Sequence, residues 1–198
     1  MENWNTALFL VLNAGASPSR FALFVAMVSA DYLIFLVPLM LMVGWLRGDT
    51  SRRTLMLEAT ASGLFALLIN QGIGLVWQHP RPFMIGLGHT LIPHVADSSF
   101  PSDHLTLLLA VGFSFLIAAR WSMCGIILLV IALPMAWARI YLGVHFPLDM
   151  LGAAVVAAAS ATCCAGLSKS LIKPVVSPAE RLYRKLFASL IRRGWVLS

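Results

Sequence analysis

Apolar stretches long enough to cross a membrane alternate with short polar breaks along this chain. The first long apolar run, residues 21–46, is interrupted only by Asp31 and ends at the basic break 47–53. Four further apolar runs follow, at about 54–77, 104–119, 122–138 and 147–167. A hydrocarbon core of about 30 Å needs about 20 apolar helical residues to cross it. The pattern predicts an all-α, polytopic membrane helix bundle with five transmembrane helices.

The two ends of the chain have a different pattern. Residues 4–13 are apolar but too few to span a bilayer, and a turn-forming cluster follows at 13–18. We therefore expect a short interfacial or re-entrant helix within 1–18, or a sixth span if this stretch inserts. Residues 169–198 are basic, which predicts an amphipathic cytoplasmic tail along the membrane surface. Together these parts form one integral membrane domain, 1–198.

The composition is typical of a membrane protein and not of a soluble domain. Hydrophobic residues make up 60% of the chain and charged residues 11%, whereas soluble domains carry about 25% charged residues. The mean hydropathy is +0.87. The net charge of +6 could suggest a nucleic-acid partner, but in so apolar a chain it indicates cytoplasmic loops, so no nucleic acid is expected.

The basic residues also predict an orientation. Of the 14 Lys and Arg residues, 11 fall on one side of the predicted spans, which is cytoplasmic by the positive-inside rule. They are Arg47, Arg52, Arg53, Arg120, Lys169, Lys173, Arg181, Arg184, Lys185, Arg192 and Arg193. The loops 79–103 and 139–146 then face outward, and the C-terminus is cytoplasmic.

The polar residues that could carry chemistry lie in these two outer loops. All five histidines are in or at the edge of the loops, and they are His79, His89, His94, His104 and His145. Three short clusters stand out: 79–82 with Arg81, 100–104 with Ser102, and 139–149 with Arg139 and Asp149. The distance along the chain from His104 to Arg120 is similar to that from Arg120 to Arg139. The third and fourth spans should therefore return Arg139 to the membrane depth of His104.

These residue types suit phosphate chemistry. Arginine offers a planar fork of donors to phosphate oxygens, and histidine can act as nucleophile or as general acid and base. Asp149, four residues after His145, can hold the imidazole in one tautomer. Ser102 is a candidate N-cap for the third span, whose first-turn N–H groups would face an anion. The clusters together predict one phosphate-handling site.

The three clusters resemble the motifs of the type 2 phosphatidic acid phosphatase superfamily. Those motifs read Lys-x6-Arg-Pro, Pro-Ser-Gly-His and Ser-Arg-x5-His-x3-Asp, and the resemblance covers residues 70–150. Here Gly74 stands at the Lys position, Asp103 at the Gly position and Ala138 at the first Ser position of the third motif. Pro-Ser-Asp-His with the Lys absent is most similar to the bacterial undecaprenyl-diphosphate phosphatases of the bacitracin-resistance type.

The resemblance implies a role for each site residue. His145 would be the nucleophile that forms a phosphohistidine, Asp149 would orient it, and His104 would protonate the leaving group and then activate water. A second set would bind the substrate, namely Arg81, Arg139, Ser102 and Asp103. No cofactor and no metal are expected. The absence of the Lys leaves open what replaces its phosphate contact.

The implied function is hydrolysis of the terminal phosphate of a polyprenyl diphosphate at the outer face of a bacterial plasma membrane, which recycles the cell-wall lipid carrier. The alternatives are a phosphatase for another lipid, such as phosphatidylglycerophosphate or phosphatidic acid, a lipid phosphotransferase, and a small transporter. Apolar middles of the spans argue against a transporter. The sequence leaves open the oligomeric state and the roles of Asp31, His79, His89 and His94. For His79, a solvated loop side chain is favoured over a phosphate contact.

Overall fold

The structure is a computed structural model that describes residues 2–197. Within these residues the chain forms nine α-helices and no β-strand, which confirms the predicted all-α class. The helices are α1 (Glu2–Leu12), α2 (Arg20–Asp31), α3 (Leu36–Leu46), α4 (Thr50–Val76), α5 (Asp103–Ile117), α6 (Ser122–Tyr141), α7 (Pro147–Leu167), α8 (Lys173–Leu186) and α9 (Ala188–Arg192).

Helix α5 lies at the centre of the bundle and packs against α4, α6 and α7. Its core side chains, such as Leu108 and Val111, are fully buried. A Cβ atom at Gly125 of α6 would lie 2.7 Å from the carbonyl oxygen of Gly112 in α5. Only glycine permits this approach of the two backbones, so α6 sits directly against the central helix.

Four helical segments are long and apolar enough to cross a membrane: Arg20–Leu46, Thr50–Val76, Ser122–Tyr141 and Pro147–Leu186. Helix α5 is also apolar, but its 15 residues make only about 22 Å of helix. It is shorter than a hydrocarbon core, and most of its residues are buried among α4, α6 and α7, although Leu116 and Ile117 at its C-terminal end are exposed. The predicted third span is therefore a short central helix.

Two predicted boundaries are wrong. The run 21–46 is not one regular helix, because α2 ends at the exposed Asp31 and a 3-10 helix at Leu33–Phe35 precedes α3. Pro38 has no N–H to donate to the carbonyl of Ile34, which favours a break here. In addition, α6 continues to Tyr141, so Arg139 lies in the last helical turn and not in a loop.

Helix α1 is tied to the ends of α6 and α7. The Oδ1 atom of Asn5 accepts a hydrogen bond from the N–H of Leu148 at 3.0 Å, one of the N–H groups that a helix start leaves unpaired. Nδ2 of Asn13 donates to the carbonyl oxygens of Tyr141 and His89 at 3.0 and 2.9 Å. The N-terminal segment thus braces the turn between α6 and α7.

The C-terminal tail is docked on the opposite end of the bundle. Helix α7 does not stop at residue 168 but continues through a π-helical segment, Ser168–Ile172, into α8. The buried guanidinium of Arg53 in α4 contacts Glu180 at 3.3 Å and donates to the carbonyl oxygen of Leu197 at 2.9 Å. These bonds join the tail to the start of α4.

Candidate active site

The sequence-predicted site residues gather at one end of the bundle, where α4 and α6 end and α5 and α7 begin. Arg81 follows α4, His104 is in the first turn of α5, Arg139 is in the last turn of α6, and Asp149 is in the first turn of α7. His145 lies in the turn that joins α6 to α7. Four helix ends therefore converge on one buried polar cluster.

The turn that carries His145 depends on a glycine. Gly143 has a φ of 81°, in the left-handed region that disfavours other residues. A Cβ atom there would also overlap the carbonyl oxygen of His89. The next residue, Val144, donates its N–H to the carbonyl of Arg139 at 3.2 Å. This turn fixes His145 relative to the end of α6.

His145 and Asp149 form a buried pair. Nδ1 of His145 lies 3.1 Å from Oδ2 of Asp149, and the Phe146 N–H donates to the same oxygen at 2.8 Å. Burial lowers the pKa of His145 well below its usual value, and the charges of Arg81 and Arg139 lower it further. The ring is therefore neutral, with its proton on the nitrogen that faces Asp149.

Arg81 contacts the other nitrogen of that ring. Its Nη1 atom lies 3.1 Å from Nε2 of His145 and donates to the carbonyl oxygen of Val144 at 2.9 Å. Its Nε atom pairs with Oδ1 of Asp97 at 2.8 Å, and Nη2 donates to the carbonyl of Ser98. The Asp97 side chain is 58% exposed, so a phosphate oxygen could replace it on the guanidinium.

Arg139 is 2% exposed, and its Nε and Nη2 atoms find no hydrogen-bond acceptor among the described residues. A buried donor without a partner costs free energy, and more so when it is charged. The carboxylates of Asp31 and Asp103 act on it electrostatically but do not hydrogen-bond it. Two unpaired nitrogen donors on a buried cation suit the oxygens of an anionic ligand.

The second cluster is arranged differently from the expectation. Ser102 is the N-cap residue of α5, as the sequence predicts, but its side chain makes no cap hydrogen bond. Its N–H donates to the Asp149 carbonyl at 3.4 Å, while its buried Oγ has no partner within residues 2–197. The Asp103 carboxylate accepts from Asn70 and Gln71 of α4 at 2.8 and 3.2 Å, which holds the start of α5 against α4.

His104 belongs to the same cluster. The groups whose charges act on its ring include Arg139, His145 and Arg81. The ring therefore lies within electrostatic range of the His145 pair and both arginines. This position suits a group that gives or takes a proton beside a phosphate.

Ser99 also belongs to this cluster, although no sequence motif singles it out. It is fully buried, its Oγ donates to Oδ2 of Asp149, and Oγ lies 3.4 Å from Nδ1 of His145. The available sequence signal was weak, because a serine three residues before Ser102 in a polar loop resembles any loop serine.

Two loop histidines also lie close to the site. His79 is not a solvated loop side chain, because its half-buried ring packs edge-on against Phe146 with 5.5 Å between ring centroids. The His94 ring is 6.2 Å from that of His145, and burial lowers the pKa of His94. His89, by contrast, is exposed and makes its contacts to Asn13 through its backbone.

A cavity of about 380 Å³ opens beside Arg81, and its lining includes Gly74, Asp97 and Asp103. A Cβ atom at Gly74 would lie 3.4 Å from the Cβ atom of Ser98. The position that carries Lys in the resembled motif therefore faces this cavity.

The cluster can support nucleophilic phosphoryl transfer. It combines a neutral imidazole with an oriented Nε2, two guanidinium groups and a second imidazole. Within residues 2–197 no group of three or more His, Cys, Asp or Glu side chains could hold a metal ion. Metal-independence nevertheless stays a prediction.

Comparisons with known sequences identify related proteins. A family model described as the PAP2 superfamily matches residues 55–172. The chain is 38% identical to "Undecaprenyl-diphosphatase BcrC" of Bacillus subtilis over 163 residues, 82% of this chain and 83% of that protein. It is 36% identical to YbjG of Escherichia coli over 197 residues, 99% of this chain and 98% of that protein.

A solved structure has the same fold. The crystal structure of Aquifex aeolicus LpxE superposes with a TM-score of 0.62 at 22% identity, covering 81% of this chain and 93% of that one. At this identity the likeness concerns the fold alone. The apolar helices and these relatives show that the chain is a multi-pass membrane protein. The matched family model and the full-length relatives show that this chain belongs to the PAP2 superfamily.

Proposed function

We propose that this protein is an undecaprenyl-diphosphate phosphatase that removes the terminal phosphate through a phosphohistidine intermediate. The observation that carries the proposal is the buried guanidinium of Arg139, whose Nε and Nη2 lack an acceptor in the described chain. It lies within electrostatic range of His145, whose Nε2 already contacts Arg81. A phosphoryl group would satisfy Arg139 and lie beside the nucleophile.

The substrate class rests on two supports. The Bacillus subtilis relative, 38% identical, is named an undecaprenyl-diphosphatase. The site lies at one end of a bundle of apolar helices, where a lipid headgroup can reach it while its chain stays in the bilayer. Arg81 and Arg139 would bind the terminal phosphoryl oxygens. Ser102 would add its unpaired hydroxyl, and Asp103 would position the start of α5 against α4.

In the first chemical step, Nε2 of His145 attacks the terminal phosphorus, and the bond to the bridging oxygen breaks. The leaving undecaprenyl monophosphate takes a proton from His104. The negative charge of the bound diphosphate favours the protonated form of His104, because it offsets the nearby arginines. Asp149 stabilises the positive charge that His145 gains when Nε2 is phosphorylated.

In the second step, neutral His104 takes a proton from water, and the hydroxide equivalent attacks the phosphohistidine. The N–P bond breaks, inorganic phosphate leaves, and His145 returns to its neutral form. Arg81 and Arg139 offset the charge on the transferring oxygens in both steps. The same residues thus bind the group and stabilise its transfer.

The site faces the periplasm or cell exterior of a bacterial plasma membrane, and the C-terminal tail is cytoplasmic. The support is the basic end of the bundle, which holds Arg53 and the tail and lies opposite the site. Single cysteines at Val95 and Arg184 in a cysteine-free background test this topology. We expect a membrane-impermeant thiol reagent to label intact spheroplasts at Val95 only; labelling at Arg184 only contradicts the orientation.

The function is tested by phosphate release from purified protein in detergent with EDTA present. The substrates are undecaprenyl diphosphate, phosphatidylglycerophosphate and phosphatidic acid. The proteins are wild type, His145→Ala and a matched control, His89→Ala, which removes an exposed imidazole outside the site. We expect fast release from the diphosphate by wild type and His89→Ala, and none by His145→Ala.

Three other outcomes change the conclusion. Equal rates on all three lipids support the mechanism but overturn the substrate assignment. Activity that survives in His145→Ala overturns the histidine nucleophile. Loss of wild-type activity in EDTA, restored by a divalent cation, overturns metal-independence.

A further inference from the structure

Asp149 concentrates its hydrogen bonds on one carboxylate oxygen. Oδ2 accepts from Nδ1 of His145 at 3.1 Å, from the N–H of Phe146 at 2.8 Å and from Oγ of Ser99. Oδ1 is buried and has no partner within the described residues. The orientation of this carboxylate therefore depends on three donors, and Ser99 is the only side chain among them besides His145.

The Ser99 hydroxyl is held firmly in place. The residue is fully buried, and its N–H donates to the carbonyl oxygen of His79 at 2.8 Å. The adjacent Ser98 differs, because its Oγ donates to the backbone carbonyls of Trp77 and Phe100 at 3.3 and 3.4 Å. The two neighbouring serines therefore donate to different acceptors: Ser98 to backbone carbonyls and Ser99 to the Asp149 carboxylate.

We propose that Ser99 is a positioning residue that acts on His145 through Asp149. The Ser99 hydroxyl donates to Oδ2 of Asp149 and so holds this oxygen facing Nδ1 of His145. The imidazole proton then stays on Nδ1, and the lone pair of Nε2 is free to attack phosphorus. The inference rests on the proposed function, because it assigns Ser99 a part in that same reaction.

The hydroxyl also favours the charged carboxylate. A hydrogen bond to an ionised carboxylate stabilises that form against protonation. The phosphorylated His145 ring needs the negative charge of Asp149, since a neutral carboxylic acid would not offset its positive charge. Without the Ser99 hydroxyl, Asp149 would hold a proton more tightly in its buried site, and the active form would be lost at a higher pH.

The test compares Ser99→Ala with Ser98→Ala, a matched loss of one hydroxyl from the same segment. Steady-state rates on undecaprenyl diphosphate are measured from pH 4.5 to 9, and thermal unfolding in detergent checks that each variant is folded. For Ser99→Ala we expect kcat to fall about 10- to 100-fold with KM changed less than about threefold, in the range of positioning effects. The acid limb of the pH profile should move to higher pH. Ser98→Ala should keep the wild-type limb and most of kcat.

Ser99→Cys provides a second variant of similar shape with a weak S–H donor. Its kcat should lie between wild type and Ser99→Ala, so a packing defect in the alanine variant alone would not produce the series. Unchanged kcat and pH profile in Ser99→Ala overturn the proposal. Equal losses in Ser98→Ala and Ser99→Ala, without a shifted limb, also overturn it, because they indicate a structural role for the segment.

The outcomes separate this inference from the proposed function. A wild-type enzyme that releases no phosphate, or an active His145→Ala, overturns the proposed function and this role of Ser99 together. An active wild type that depends on His145 but is indifferent to Ser99→Ala overturns only the role of Ser99.

Discussion

Nη1 of Arg81 lies 3.1 Å from Nε2 of His145. Because a guanidinium has donors but no acceptor, Nε2 must accept in this contact. The His145 proton therefore sits on Nδ1, which faces Asp149. A charged arginine thus selects the neutral tautomer in which Nε2 keeps its lone pair.

This contact leads to a prediction about the titration of His145. Burial, Arg81 and Arg139 lower the pKa of the ring well below its usual value, so the wild-type ring should stay neutral as pH falls through 6.5. Arg81→Met removes one cation and should raise the pKa, so protonation begins at a higher pH. Arg81→Lys keeps the charge and should stay closer to wild type. Histidine-ring NMR in detergent, assigned with His145→Ala, measures this, and equal titration of both variants would contradict it.

The unpaired guanidinium of Arg139 should lower the stability of the ligand-free protein while it contributes to ligand binding. Burial of an uncompensated charge is costly, so Arg139→Leu should raise the melting temperature of the ligand-free protein. Orthovanadate, a phosphate analogue, at about 100 times its Kd should stabilise wild type by about 2.7 kcal/mol and leave the variant unchanged. Arg20→Leu, at an exposed arginine on α2, is the control. A variant that melts lower but still responds to vanadate would refute the assignment.

Two glycines with positive φ should differ in how much stability is lost when alanine replaces them. Gly143 has φ 81° and its Cβ would overlap the backbone of His89, whereas Gly86 has φ 69° and no heavy atom near its Cβ position. Gly86→Ala should cost only the left-handed penalty of about 1–2 kcal/mol. Gly143→Ala should cost more and should lower kcat, because the overlap displaces the turn that carries His145. Unfolding and phosphate-release assays compare them; equal effects would be evidence against this role of the turn.

The two arginines that contact Glu180 should contribute differently to the stability of the fold. Arg53 is buried, while the Arg184 side chain is 54% exposed and lies 3.5 Å from Glu180. Glu180→Ala leaves the Arg53 charge without its partner and should destabilise the fold by about 3–5 kcal/mol. Arg184→Ala removes a surface pair and should cost at most about 1 kcal/mol. Thermal unfolding in detergent measures both losses of stability. Similar changes in melting temperature for Glu180→Ala and Arg184→Ala would contradict the difference between the buried and the exposed pair.

Some features of this protein follow from the sequence because they depend on neighbours along the chain. The length of an apolar run identifies a span, so the pattern predicts α4, α6 and α7, although it ends α6 at residue 138 and the helix continues to Tyr141. His145 and Asp149 are one helical turn apart, so their pairing follows from local geometry. The convergence of Arg81 and Arg139 on them was expected from the return of the spans, although their contacts were not.

Other features were decided by contacts between distant parts of the chain. Ser99 and Asp149 are 50 residues apart, and Asn5 and Leu148 are 143 apart. No periodicity links such pairs, and serine and asparagine occur in any polar loop. The hydrophobic pattern determined which segments enter the membrane, because transfer from water depends on each segment's own composition. Only the packed bundle determined which buried polar atoms find partners, and that depends on which helix ends meet.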